Sequence, residues 1–232
     1  MTDGFPWLDD DTKLAQGLAW LVSAEFDLLE RHRREMFAGL NRFMDKADDD
    51  FTEYKKQWQL LRGEDVDEYD AMEIEFQTAT QDIPRLQWNA QFLIAFSVFE
   101  HLLCKLADHA QTRFKQKVSY RDFGGNGFEP AYNYLKKVAG LGGTAFQTSQ
   151  WQTVQVFKQL RNCLAHTRGE FVWSEQTSNL GQRMKLFQGW TVDNPTEGAE
   201  AEITLSPEFV GMAILTMRGA AIIACTAEFN PE

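Results

Sequence analysis

The sequence has few cysteines, and this scarcity argues against a fold held together by disulfides or zinc. Cys104, Cys163 and Cys225 are widely spaced within apolar helical patterns, as is typical of small buried side chains with reduced thiols. His101 and His109 have no Cys, Asp or Glu at a ligand spacing beside both. We therefore expect no metal and no other cofactor.

The sequence also lacks segments that direct a chain to or across a membrane. Residues 1–11 have neither the basic start nor the apolar run of a secretory signal, and we expect no stretch to reach the roughly 20 apolar residues that span a bilayer. The 232 residues are 44% hydrophobic and 13% aromatic, enough for one sizeable core. We expect a soluble, cytoplasmic protein without membrane contact.

Positive charge is scarce overall, since the formal net charge is −11, which argues against binding to a nucleic acid backbone. The distribution is uneven, however. Residues 1–82 contain 21 Asp and Glu and 9 Lys and Arg, whereas residues 105–185 contain 12 basic and 5 acidic residues. A basic run from Arg113 to Arg121 has no acid within it, and it fits a solvated helix end as well as a phosphate-binding track.

Apolar residues recur at the helical period through most of the chain, which predicts a mainly α-helical protein. We expect an acidic helical extension over residues 1–84, packed on a helical bundle over residues 85–232. The extension is predicted to contain helices at 12–44, 47–62 and 65–81, with a stop near Pro84. Four core helices of the bundle are expected at 85–114, 129–138, 149–167 and 207–228.

Two segments of the bundle region are predicted to be non-helical. The glycine cluster at 124–127 lacks the preceding strand and the following Lys-Ser/Thr of a phosphate-binding loop, so we interpret it as a connector. A small strand-containing insertion is predicted at about 170–205, before a last helix that Ser206 caps and Pro207 begins. Its strands are expected at 170–173, 184–192 and 201–205.

The segment from Leu160 to His166 carries the most informative chemistry. Arg161 supplies a permanent planar cation that can grip a phosphate, and His166 supplies an imidazole that exchanges protons near neutral pH. Arg161 and His166 are separated by about 140° around a helix, whereas Asn162 and His166 share a face. Two copies of this helix meeting across a two-fold axis would bring all these side chains into one groove, so the site requires a homodimer.

Such a groove contains the groups needed to cut RNA without a metal. A base removes the 2′-hydroxyl proton, the cation stabilises the charged phosphorane, and an acid protonates the leaving 5′-oxygen. The C-terminal end of the helix would favour a protonated His166 by a few tenths to about 1 kcal/mol. DNA lacks the 2′-hydroxyl and is expected to be inert.

The run Arg161-Asn162-Cys163-Leu164-Ala165-His166 resembles the Arg-X4–6-His signature of HEPN domains. Phe96 to Leu103 is similar to an earlier core helix of that family, and Gly125 to Lys137 to its connecting loop and helix. The resemblance covers about residues 85–228. It implies an up-and-down helical bundle that dimerises, with Arg161 and His166 catalytic and Asn162 assisting. Many members are metal-independent endoribonucleases that act as toxins or in antiviral defence.

Two functions stay open at this point. The first is an endoribonuclease that cuts RNA at a composite homodimer site, with an antitoxin or regulatory protein encoded separately. The alternative is a non-catalytic module that binds a nucleotide or a protein partner and keeps the bundle as a scaffold. In that case Arg161 pairs with a carboxylate and His166 caps its own helix. The intact Arg-Asn and His residues favour the ribonuclease.

Several charged residues are candidates for supporting roles at this site. Glu100 lies on a largely apolar helix, where an unpaired carboxylate is costly, so it needs a partner, and Arg161 is one candidate. We hypothesise that Glu100 orients Arg161 or His166. Lys158 and Arg168 flank the motif as candidate substrate-binding cations.

Two further hypotheses concern the regions outside the minimal bundle. Trp173 and Trp190, on the insertion, are candidates for stacking on RNA bases. The acidic residues 1–82 are hypothesised to repel RNA or to cover the positive side until a trigger moves them.

Overall fold

The protein is mainly α-helical, with one small antiparallel sheet. A computed structural model describes residues 11–60, 66–125, 127–141, 145–167, 170–172, 174–193, 196 and 198–227. In these ranges the α-helices are α1 (Asp11–Leu60), α2 (Val66–Gln77), α3 (Ile83–Arg113), α4 (Phe128–Lys137), α5 (Ser149–Thr167), α6 (Glu175–Met184) and α7 (Pro207–Thr226). The strands are β1 (Glu170–Val172), β2 (Trp190–Asp193) and β3 (Glu200–Leu205).

The first helix differs from the sequence prediction. α1 is one continuous helix of 50 residues, so the two separate helices predicted at 12–44 and 47–62 were wrong. Asp45 and Lys46, which lie between the two predicted helices, are exposed, so their charges stay hydrated within the helix. Since the sequence has no glycine or proline between positions 40 and 60, the helix continues through them.

The predicted stop at Pro84 was also wrong. A π-helical turn, Thr78–Asp82, connects α2 to α3, and Pro84 lies in the first turn of α3. A proline is tolerated there because an N–H in the first turn has no partner within its own helix. The helical run therefore passes from α2 into α3.

A single hydrophobic core joins α1 to the bundle. Three rings from α3, α5 and α7 meet at its centre, where Phe92 lies 5.8 Å from Phe157 and 6.0 Å from Phe209 between ring centroids. α1 packs along α7 and buries Val22 and Phe26 in the same cluster. The acidic extension thus supplies part of the core.

The remaining bundle helices begin and end close to their predicted positions. α4, α5 and α7 were predicted at 129–138, 149–167 and 207–228, within two residues of their observed ends. Ser206 caps α7 as predicted, since its Oγ accepts the N–H of Phe209 at 3.3 Å. A periodic apolar stripe and a capping residue were sufficient to predict where these helices begin and end.

The insertion contains a three-stranded antiparallel sheet in the order β1-β3-β2. The strand predicted at 184–192 was wrong over most of its length, because Met184 ends α6 and β2 covers only 190–193. α6 was not predicted, although Leu180 and Met184 form a buried pair four residues apart. Asn89 of α3 anchors the sheet, since its Nδ2 donates to the carbonyl of Ile203 at 3.0 Å.

Two helical runs are long and apolar enough to cross a membrane by length and composition alone, whereas no apolar stretch of that length was expected. They are Tyr69–Arg113 and Pro207–Thr226, and 44% and 50% of their apolar windows are buried in the protein. Core helices of soluble proteins meet the same criteria. The central position of α7, against which α1, α3 and α5 pack, accounts for its apolar composition.

Candidate functional site

α5 has an apolar side that faces the core and a polar side that is partly exposed. Thr148 caps the helix, because its Oγ1 accepts the N–H of Trp151 at 3.4 Å. The polar side carries Lys158, Arg161 and Asn162. The side chains that face the core are Trp151, Val154, Phe157, Leu160 and Leu164.

Arg161 forms an ion pair with Glu100 of α3. Its Nη2 lies 3.6 Å from Glu100 Oε2, and the two side chains are 32% and 19% exposed. Its Nη1 donates a hydrogen bond of 3.0 Å to Oδ1 of Asn162, the next residue on α5. The pairing of Glu100 with Arg161 that was suggested by the cost of a lone carboxylate is therefore present. Asn162 contacts Arg161 directly.

The other carboxylate oxygen of Glu100 holds the start of α4. Glu100 Oε1 accepts the N–H of Phe128 at 2.7 Å. Gly127, the residue that caps α4, has no side chain to accept that bond and has φ of 85°. A side chain at position 127 would overlap the Glu100 carboxylate. Gly127 is thus required both for its backbone conformation and for the approach of Glu100.

A three-helix junction results, in which Glu100 of α3 contacts both the N-terminus of α4 and Arg161 of α5. Cys104, one turn after Glu100, adds a weak contact between its Sγ and the carbonyl of Gly127 at 3.6 Å. Arg161 is about one-third exposed, and a guanidinium has five N–H donors. The arrangement can therefore present an oriented cation to an anionic group in solvent.

Lys158 lies one turn before Arg161 and is paired with Glu129 of α4. Its Nζ is also 5.9 Å from the centroid of the Phe128 ring. Partial burial lowers the pKa of the Lys158 ammonium. Lys158 and Arg161 together therefore face two carboxylates, so the charges of these four side chains balance.

The basic run after α3 is also partly neutralised. Arg121 donates two hydrogen bonds to Asp108, at 2.7 and 3.1 Å, and its guanidinium lies 4.4 Å from the centroid of the Tyr120 ring. The hydrogen bond to Asp108 raises the pKa of Arg121. Arg121 is therefore a paired surface residue before any ligand binds.

Other predicted site residues fall at or beyond the limits of the described structure. The backbone of His166 lies in α5, one turn after Asn162, but its side chain is outside the described part. Arg168 and Trp173 are also outside the described residues. Trp190 is half-buried and packs against the core.

Sequence reasoning missed Gly127 and Glu129. Gly127 belonged to a cluster interpreted as a connector, and its pairing with Glu100 joins residues 27 positions apart. Glu129 gave no signal beyond a charge at a helix start. Both roles depend on how α4 packs against α3 and α5, which helical periodicity does not encode.

The described cysteine and histidine side chains outside this junction do not form a second candidate site. Burial raises the pKa of the Cys225 thiol to about 12 and lowers the pKa of the His109 imidazole. Among the side chains that the structure describes, no three His, Cys, Asp or Glu residues are close enough together to hold a metal ion.

Comparison with known proteins gives no relative from which to transfer a function. No family model, curated protein or solved structure matches the chain. The class that its own structure defines is a mainly helical protein with a small antiparallel sheet.

Proposed function

We propose that the protein is a metal-independent endoribonuclease, a toxin or antiviral defence effector of the cytoplasm, built on a HEPN-like bundle over residues 85–232. One observation carries the proposal: Glu100 holds the partly exposed Arg161 guanidinium beside Asn162, on the helix that also contains His166. A phosphate-binding arginine needs N–H donors that are open to solvent, and the one-third exposure of the Arg161 side chain leaves donors accessible.

The reaction follows from these groups and from the substrate. A base takes the proton of the ribose 2′-hydroxyl, and the 2′-oxygen forms a bond to phosphorus. Arg161 stabilises the added negative charge on the phosphorane. The bond from phosphorus to the 5′-oxygen then breaks, and an acid protonates that oxygen. The products are a 2′,3′-cyclic phosphate and a 5′-hydroxyl, and the two His166 imidazoles of a dimer share the proton transfers.

The active species in this proposal is a homodimer with a composite site. Arg161 and His166 are five positions apart on α5, so their Cα atoms lie about 140° apart around the helix axis. A two-fold axis near this end of α5 would bring the His166 of one copy towards the Arg161 of the other. Lys158 and Arg168 are candidate contacts to the RNA backbone on either side.

The test is cleavage of end-labelled RNA by the purified full-length protein in the presence of a chelator. We expect cleavage by the wild type, a loss of at least 100-fold in Arg161→Ala and His166→Ala, and no cleavage of RNA whose scissile nucleotide lacks the 2′-hydroxyl. Arg183→Ala is the matched control. It removes a neighbouring cation that contacts Gln159 of α5 at 3.0 Å, and it should retain activity.

Two outcomes would reject the proposal. Cleavage that survives both Arg161→Ala and His166→Ala would reject the assigned site. Absence of cleavage of every tested RNA by a folded dimer would reject the enzyme and favour the second candidate.

The second candidate is a non-catalytic module that binds a nucleotide or a protein partner, such as a separately encoded antitoxin. The balanced charge of Lys158, Arg161, Glu100 and Glu129 favours it, because cations that already have partners attract a polyanion less strongly. Calorimetry with mononucleotides separates the two. Binding that Arg161→Ala weakens, together with inert RNA, would support the module.

A further inference from the structure

α1 extends beyond the segment that packs on the bundle. Its buried residues up to Leu40 belong to the main core, whereas Phe51 stacks on Phe76 at 4.5 Å and Trp58 meets Tyr69 at 4.6 Å between ring centroids. Residues 41–60 of α1 therefore pair with α2 (Val66–Gln77) as a helical hairpin. We call this hairpin the acidic arm.

One side of the acidic arm carries a groove with an apolar floor. Its cavity has a volume of about 260 Å³. α1 contributes Phe43, Ala47 and Phe51, and α2 contributes Met72 and Phe76. These positions repeat every four residues on both helices, so they form two ridges with a furrow between them. Such a surface fits the ridge of a third helix.

Phe43 shows that this apolar surface is incompletely covered within the described chain. Its side chain is 44% exposed, although it lines the groove. A pair of helices buries the side chains between them and leaves its outer faces exposed to solvent. A third helix packed on the groove would bury the Phe43 ring.

Charge defines what kind of helix fits. Residues 41–77 contain 12 Asp and Glu but 5 Lys and Arg. Asp50 and Glu75 line the groove together with Lys46, and both carboxylates are exposed. An incoming helix with Lys and Arg beside its apolar stripe would therefore be attracted and held in register.

The same charge argues against a second copy of the arm as the occupant. Two arms of equal negative charge repel each other. Among the described helices, α3, α4 and α5 have more Lys and Arg than Asp and Glu, but each buries its apolar side in the core. A second copy therefore offers no free basic amphipathic helix among the described residues.

We propose that the acidic arm is a docking site for an amphipathic helix of a separate protein, apolar on one side and rich in Lys and Arg on the other. The Phe43 ring and the apolar floor bind its apolar stripe, and the carboxylates of the rim pair with its basic flanks. This binding site is independent of the ribonuclease proposal, since the arm contains none of the residues assigned to cleavage.

The test uses a fluorescent peptide of about 18 residues, five helical turns, with leucine on one side and lysine on the other. Its anisotropy is followed on titration with the full-length protein. We expect saturable binding, weakened at least tenfold by Phe43→Asp. Ile74→Asp is the matched control, because Ile74 is 65% exposed on the same arm and does not line the groove. The affinity of the Ile74→Asp variant for the peptide should differ less than twofold from that of the wild type.

Three results would overturn this proposal. Unchanged binding in Phe43→Asp, or strengthening to the same extent in both variants, would mean general charge attraction without use of the groove. Equal binding of a leucine and glutamate peptide would remove the charge argument. Sedimentation showing a wild-type dimer that Phe43→Asp dissociates would make a second copy the occupant.

Discussion

At the scale of single residues, Glu100 has two separable contacts. One carboxylate oxygen accepts the Phe128 N–H, and the other faces the Arg161 guanidinium. The first contact needs an acceptor of any charge, whereas the second needs a negative charge. Substitutions at this position can therefore distinguish structural support of α4 from the orientation of Arg161.

Glu100→Gln is expected to reduce RNA cleavage at least tenfold while changing the free energy of unfolding by less than about 1 kcal/mol, since partly exposed ion pairs contribute little. The glutamine Oε1 still accepts the Phe128 N–H. Glu100→Ala removes that acceptor and should cost about 0.5–2 kcal/mol, as loss of a helix cap does. Activity assays and urea titrations of both variants measure the two effects. Full activity in Glu100→Gln would remove its role in orienting Arg161.

Gly127→Ala is expected to destabilise the protein by about 2 kcal/mol or more, because a positive φ strains alanine and its methyl group overlaps the Glu100 carboxylate. Gly124→Ala is the control, with φ of 75° but no described atom within 4 Å of a Cβ. It should cost about 1 kcal/mol, the backbone effect alone. Equal losses in urea titrations of the two variants would show that the Glu100 contact is unimportant.

At the scale of elements, Arg33 links α1 to the start of α7 by a hydrogen bond. Arg33 binds both carboxylate oxygens of Glu30, at 2.7 and 2.8 Å, and donates to the carbonyl of Pro207 at 3.1 Å. A side chain at Gly211 would crowd the Arg33 guanidinium. Glu30 therefore positions the cation that links the two helices.

The contribution of Glu30 is expected to depend on pH. The hydrogen bond from Arg33 lowers the Glu30 pKa below its ordinary value of 4.5, so the stabilisation is complete above pH 4.5 and is lost as the pH falls through the lowered value. Glu30→Gln should cost about 1–2 kcal/mol at pH 7 and progressively less below pH 4.5. Urea titrations across this range test it, with Glu53→Gln of the exposed Lys56 pair as a near-neutral control. A cost independent of pH would contradict the assignment.

Local signals explain which elements could be predicted. α5 and α7 have a capping residue and a regular apolar stripe, so their ends followed from the sequence. α6 was missed because its polar residues, such as Thr177 and Asn179, are poor helix formers, and its burial depends on packing against α5. The π-helical turn before α3 was not predicted, because Pro84 was interpreted as the end of the preceding helix.

The candidate site, too, could be predicted only in part from the sequence. The chemistry of Arg161 and the need of Glu100 for a partner followed from residue type and burial cost. The pairing of Lys158 with Glu129 and the close approach at Gly127 were not predictable, because each joins residues from different helices at distances in sequence of 27 positions or more.

At the scale of the whole molecule, the acidic N-terminal region is both a charged surface and a part of the core. Phe26 is 1% exposed, and it shares the cluster with residues of α3, α5 and α7. The hypothesis that residues 1–82 cover the positive side can therefore be tested only by charge substitutions that leave the apolar side of α1 intact.

Deletion of residues 1–82 is expected to yield an insoluble or uncooperatively unfolding chain, because it exposes the apolar side of α7 that α1 covers. Solubility and thermal unfolding by circular dichroism measure this. Lys replacement of the exposed Asp48, Asp49 and Asp50 serves as the control, and it should leave the melting transition sharp. A soluble, cooperatively folded fragment would show that the bundle is complete without α1.

The π-helical turn at Thr78–Asp82 sets which side of α2 faces α1. A π turn accommodates one residue more than an α-helical turn, and one residue corresponds to about 100° of rotation in an α-helix. Deleting a single residue there would turn Met72 and Phe76 away from Phe43, whose position is fixed by the continuous α1. The loss of one codon would thus dismantle the furrow of the acidic arm while both of its helices stayed intact.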